Sequence, residues 1–97
     1  MTRDPSDAVI RRRLIVHGRV QGVWFRGATE RQARALGVAG WVRNRPDGTV
    51  EAVFEGGAGA VAQAVAYCKQ GPPGARVERV ESSDETPEGL VEFEVRY

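Results

Sequence analysis

LIVHGRVQGVWFRGATERQARAL, residues 14–36, is the stretch on which the fold turns. Its first residues alternate, with Leu14 and Val16 on one face and Arg13, Ile15 and His17 on the other, so the spacing predicts a strand over Arg12–His17. From Phe25 to Leu36 the period changes. Phe25, Thr29, Ala33 and Leu36 recur at i, i+4, i+8 and i+11, the inner face of a helix, with Glu30, Arg31 and Arg34 mostly off that stripe. Gly37 is placed to cap it in the left-handed conformation. Between the two, Gly18–Trp24 holds two glycines and follows neither period, which makes it a loop. A loop that enters a helix presents backbone N–H groups with no internal partner, and the helix dipole adds partial positive charge there. Two glycines let such N–H groups converge into an anion nest. Arg26, in the first helical turn, carries a forked, permanent charge suited to two oxygens of one anion. The stretch does not fit GxxxxGK[ST], so this is an anion site without a Walker lysine. Up to this point an ordinary strand–helix turn would look the same.

Outward from that stretch the remaining elements follow. Val38–Asn44 and Thr49–Glu55 read as two strands, the second with Val50, Ala52 and Phe54 inward. Arg45-Pro46-Asp47-Gly48 between them has turn chemistry, so they form a hairpin. Ala58–Gln70 is alanine-rich, with Val61, Ala64, Val65 and Cys68 at helical spacing, and Gly71-Pro72-Pro73-Gly74 stops it. A fourth strand is expected over Arg76–Ser82 and a last one over Leu90–Tyr97, where Val91, Phe93 and Val95 alternate against Leu90, Glu92, Glu94 and Arg96. The order βαββαβ, plus one short strand, implies two helices covering one face of a mainly antiparallel sheet. That is a ferredoxin-like α+β sandwich.

Composition limits the alternatives. Ninety-seven residues suffice for one small domain, assigned to residues 11–97, with residues 1–10 expected as a flexible leader. With 41% hydrophobic and 28% charged residues the chain reads as globular, and no apolar run approaches membrane-spanning length. The polar N-terminus carries no secretion-type apolar segment, so a cytoplasmic location is expected. The single cysteine, Cys68, excludes an internal disulfide and a multi-cysteine metal site. The net charge of +1 hides a split: residues 1–45 carry ten arginines against Asp4, Asp7 and Glu30 (+7), and residues 46–97 carry four basic and ten acidic residues (−6). Because the hairpin pairs one strand from each half, Arg43 and Arg45 are expected near Glu51, and most of the surplus should be neutralised across the sheet. No polyanionic partner is expected.

Three further segments carry a resemblance. GRVQGVWFR at 18–26 and GWVRNRPDGTVE at 40–51, with their spacing and the closing FEVRY at 93–97, resemble the two signatures and the C-terminus of the acylphosphatase family. The resemblance spans residues 12–97. It implies a ferredoxin-like enzyme that hydrolyses acyl phosphates to a carboxylate and inorganic phosphate, with no metal or other cofactor and no phosphoenzyme. It also implies that the backbone of Gly18, Arg19, Val20, Gln21, Gly22, Val23, Trp24 and Phe25 holds the phosphate. Arg26 would then be the main side-chain phosphate ligand, and Asn44 would orient the attacking water. Arg45 departs from the threonine common at that position in animal members, which puts a hydroxyl contribution there in doubt.

The other chemistry-bearing residues read as structural. His17 should point away from the core, Cys68 should be a buried core thiol, and Trp24 and Trp41, which could stack on a substrate acyl group, are expected instead to pack around the loop and the sheet end. Arg19 reads equally well as an anion-steering group or a solvated loop charge. An RNA-binding module shares the βαββαβ plan but displays aromatics on its open sheet face. Here Thr49, Glu51, Val53 and Glu55 would face outward, with no aromatic and two repelling charges. A metal carrier on this plan would need a CxxC. A non-catalytic or accessory domain with the same site is the other alternative, against which the chain's end just after its last strand favours a freestanding enzyme; a monomer is expected.

Overall fold

The computed structural model describes residues 8–97. Its elements are β1 (Val9–Arg19), α1 (Phe25–Leu36), β2 (Ala39–Asn44), β3 (Val50–Gly57), α2 (Ala58–Gln70), β4 (Arg76–Glu85) and β5 (Phe93–Arg96). They form one five-stranded sheet in the order β4-β1-β3-β2-β5. All neighbours are antiparallel except β2 and β5, which run parallel. The two helices pack against each other, α1 over β2 and β5 and α2 over β1, β3 and β4. This is the ferredoxin-like sandwich with its extra C-terminal strand.

Period and punctuation explain the helices. α1 keeps the expected bounds and buries Phe25, Ala28, Thr29 and Ala33. It ends where Gly37 turns left-handed at φ 70°, letting the Val38 N–H reach the Ala33 carbonyl at 2.9 Å. α2 also keeps its bounds and buries Val61, Ala64, Val65 and Cys68. Against these stripes the sheet sets Leu14, Val16, Val42, Val50, Ala52 and Phe54, and the Phe54 and Phe93 rings stack at 5.7 Å between centroids. Burial pushes the Cys68 thiol up to about 12, and the Thr29 hydroxyl offsets part of that. A thiol reagent at pH 8 is therefore expected to leave the native protein unlabelled and to label it once in urea. Rapid native labelling would contradict a sealed core.

The strands depart from expectation in extent, β3 running on to Gly57 and β4 to Glu85. Val9 and Ile10, assigned to the leader, open β1, and residues 1–7 of that leader lie outside the described residues. At the far end β1 takes in Gly18 and Arg19, which pair with Val77 and Arg76 after a register shift at His17. A Cβ at Gly18 would sit 2.1 Å from the Arg76 carbonyl oxygen, so glycine admits this close crossing. The last strand is shorter than expected, since only Phe93–Arg96 pair and Val91 is 91% exposed. The cause is Glu55, whose Oε1 accepts the N–H groups of Glu88, Gly89 and Leu90 at 2.6–3.1 Å and holds that segment out of the ladder.

The open face of the sheet also departs from expectation. Glu51 and Glu55, expected as repelling outward charges, are 3% and 2% exposed. Arg11, directly opposite Glu55 in the β1–β3 register, donates to it at 3.1 Å and to Glu85 at 2.8 Å. Arg13 and Arg43 both donate to Glu51 at 2.6 Å. The basic first half is thus laid over the acidic centre of the sheet. Arg45, also expected near Glu51, instead faces Asp47 at 3.8 Å. His17 points to the open face as expected and meets Glu81 at 2.6 Å.

Candidate active site

The loop between β1 and α1 lies at one end of the sheet, and three constraints shape it. Gly22 adopts φ 73° and Trp24 φ 62°, so two left-handed residues flank Val23. Alternating handedness of this kind turns successive N–H groups toward a common centre. The Gln21 side chain anchors the loop from outside, donating through Nε2 to the carbonyls of Arg45 (2.7 Å) and Thr49 (2.9 Å). Those carbonyls belong to the β2–β3 turn, itself closed by Asp47, which accepts from the Thr49 N–H at 3.0 Å and its hydroxyl at 2.6 Å. Phe25 fixes the other side, buried in the core against Gly71.

The consequence is a run of uncommitted donors. The first hydrogen bond of α1 runs from the Ala28 N–H to the Trp24 carbonyl at 3.0 Å. Among the described residues, no backbone N–H from Gln21 to Gly27 donates to a backbone carbonyl. They stand at a helix start, where the macrodipole favours negative charge.

A cleft of about 330 Å³ opens here, lined by Val20, Gly22, Trp24, Phe25, Arg26 and Gly27 on one side. Glu30, Asn44, Val95 and Tyr97 complete it. Arg26 is the cation in this lining. It forms no ion pair among the described residues, and its guanidinium lies 4.8 Å from the centroid of the Tyr97 ring. The acid in the lining, Glu30, is turned along the helix to Arg34 at 3.3 Å. Asn44, the last residue of β2, brings an amide that makes no side-chain hydrogen bond among the described residues.

Of the residues singled out from the sequence, the cleft gathers Val20, Gly22, Trp24, Phe25, Arg26 and Asn44. Gln21 braces the loop through its side chain, while Val23 faces Gly74 at the α2–β4 connection. Gly18 and Arg19 belong to β1 and do not line the cleft. Trp24 departs from its expected packing role, being 62% exposed, whereas Trp41 lies under Arg43 and Arg96. Sequence reading missed Gly27, Glu30, Val95 and Tyr97. For Gly27 a signal exists: a glycine three residues after a tryptophan leaves room over the helix for the indole. Val95 and Tyr97 arrive through the β2–β5 pairing, which no local pattern announces.

A ferredoxin-like sandwich that brings the unpaired N–H groups of its first loop, the Arg26 guanidinium of α1 and the Asn44 amide of β2 to one cleft has the chemistry to receive a small anion. Residues 12–95 match the acylphosphatase family profile. The chain is 56% identical over 86 residues to an acylphosphatase of Gloeobacter violaceus, covering 89% of this chain and 92% of that one. It is 60% identical over 85 residues to one from Rubrobacter xylanophilus, covering 87% and 77%. The crystal structure of acylphosphatase from Bacillus subtilis superimposes with a TM-score of 0.88 at 38% identity, covering 91% of this chain and 99% of that one. The chain belongs to the acylphosphatase family.

Proposed function

We propose that the cleft hydrolyses acyl phosphates to a carboxylate and inorganic phosphate, with Arg26 and the Gln21–Gly27 backbone holding the phosphoryl group and Asn44 placing the water. The activity follows from family membership, and the assignment of atoms rests on the run of uncommitted N–H groups beside a guanidinium with no carboxylate partner among the described residues. The substrate's phosphoryl oxygens accept from that backbone run, and Arg26 forks over two of them. The Asn44 amide accepts from a water and holds it in line with phosphorus. The water oxygen bonds to phosphorus as the bond from phosphorus to the acyl oxygen breaks, its electron pair leaving on the carboxylate. The proton lost by the water passes to a phosphate oxygen, so an acyl phosphate dianion and water become a carboxylate and dihydrogen phosphate. The leaving group's conjugate acid has a pKa near ~4, so no general acid is required. Catalysis then consists of positioning and charge stabilisation, for which neither His17 nor Cys68 is needed. The same chemistry proceeds without a metal, and the protein acts as a cytoplasmic monomer on a small substrate; among the described residues no helix is long and apolar enough to cross a membrane.

The test is benzoyl phosphate hydrolysis by wild type and Asn44→Ala, with and without chelator. Asn44→Ala is expected to lower kcat about 10²-fold with KM changed by no more than a few-fold, because the amide acts on the water and not on the phosphate. Wild type should keep its rate in chelator. A variant with unaltered kcat, or a wild type silenced by chelator, would contradict the mechanism.

A further inference from the structure

Two of the large apolar side chains left exposed among the described residues, Trp24 and Tyr97, line the cleft. Trp24 is the more telling. A φ of 62° is a conformation that a bulky residue adopts at a cost, and glycine or asparagine would hold the same turn without it. The indole is not repaid by core packing, since it is 62% exposed. It is nevertheless seated. A Cβ on Gly27 would fall 2.1 Å from the indole Nε1, so the ring lies directly on the bare backbone of the first turn of α1. The Arg31 guanidinium, one turn further along, lies 5.9 Å from its centroid and braces it from the helix side. With Val20, Val95 and the Tyr97 ring it gives the cleft an apolar lining beside the polar one formed by Gly22, Arg26 and Asn44. An acyl phosphate has the same division, a phosphoryl dianion joined to an acyl group.

We infer that Trp24 determines specificity by stacking on the acyl group, so that the site prefers acyl phosphates with a flat aromatic acyl group over acetyl phosphate. This rests on the acyl phosphate reaction proposed above. A ring face presented at the cleft gains dispersion and desolvation with a second ring, and little with a methyl group.

The experiment compares kcat/KM for benzoyl phosphate and acetyl phosphate in wild type, Trp24→Ala, Trp24→Phe and Gly27→Ala, each checked for folding by thermal melt. The benzoyl-to-acetyl ratio is expected to fall about tenfold in Trp24→Ala and to stay within about threefold of wild type in Trp24→Phe. Gly27→Ala, which fills the indole's seat without altering Trp24, should lower the ratio as well. Equal losses on both substrates in Trp24→Ala would show that the indole only supports the loop. An unchanged ratio would show that it does not meet the acyl group. Either result overturns the inference. A wild type inactive on both substrates would instead overturn the function it rests on.

Discussion

An Arg26→Ala variant folds and loses at least 10²–10³ in kcat/KM for benzoyl phosphate, the loss typical of removing one preorganised donor from a developing oxyanion. Arg26 should stand at or above that range, because it is also the cation that lines the cleft. Its position makes the loss specific to anion binding. The side chain pairs with no carboxylate among the described residues, so truncation leaves no buried acid uncompensated. Lysine restores charge without the planar fork, so Arg26→Lys should recover only part of the activity. Inhibition by inorganic phosphate should weaken in parallel with the loss of kcat/KM. Arg26→Ala activity within tenfold of wild type would place the phosphate elsewhere.

Glu55→Ala should destabilise the fold by about 3 kcal/mol, the lower end of the cost of breaking a buried ion pair. Arg11 is itself buried and would lose its 3.1 Å partner, but it keeps Glu85 at 2.8 Å, which places the loss at that end. The three N–H groups of Glu88–Leu90 would turn to water at modest cost, because that segment is largely exposed. In thermal melts the change corresponds to roughly 12–24 °C in Tm for a domain of this size. Glu94→Ala removes an exposed partner of Arg96 and should cost about 1 kcal/mol or less. Similar costs for the two variants would contradict a buried clamp at Glu55. The clamp also carries a pH signature. Burial alone would raise the Glu55 carboxyl, but the backbone N–H groups of Glu88 and Gly89 and the Arg11 guanidinium outweigh it, so its folded pKa lies below the ordinary glutamate value. Glu51 behaves likewise, its burial outweighed by Arg43 and Arg13. Their contribution to stability is therefore complete above the unfolded pKa and is lost as the pH falls from there through the depressed folded values.

Residues 25–36 and 58–70 were fully legible as helices, since each carries one apolar stripe and ends at a glycine. The strands were legible in order but not in extent. β1 continues to Val9 because Arg11 is buried by its acids, a fact that alternation of apolar and polar residues cannot express. The segment 90–92 alternates well, yet the Glu55 carboxylate, 35 residues away in sequence from Leu90, keeps its start out of the sheet. In the site, the loop and Arg26 were readable because a strand, two glycines and a helix start are contiguous in the chain. Val95 and Tyr97 were not, since they enter through a parallel pairing that joins residues 53 positions apart in the chain, such as Val42 and Val95. The opening arginine excess resolves likewise, with Arg11, Arg13 and Arg43 spent on the sheet and Arg26 left in the cleft.

In the proposed mechanism phosphate is held by the backbone of Gln21–Gly27 together with Arg26. The most direct measurement is a titration of the ¹⁵N-labelled protein with inorganic phosphate, followed by amide and guanidinium NMR resonances. Saturable shifts should centre on the N–H groups of Gln21–Gly27 and the Arg26 Nε–H, and those of Arg76 and Arg79 on β4 should stay in place. Shifts centred on β4, or no shift in the loop at phosphate concentrations that inhibit hydrolysis, would contradict it.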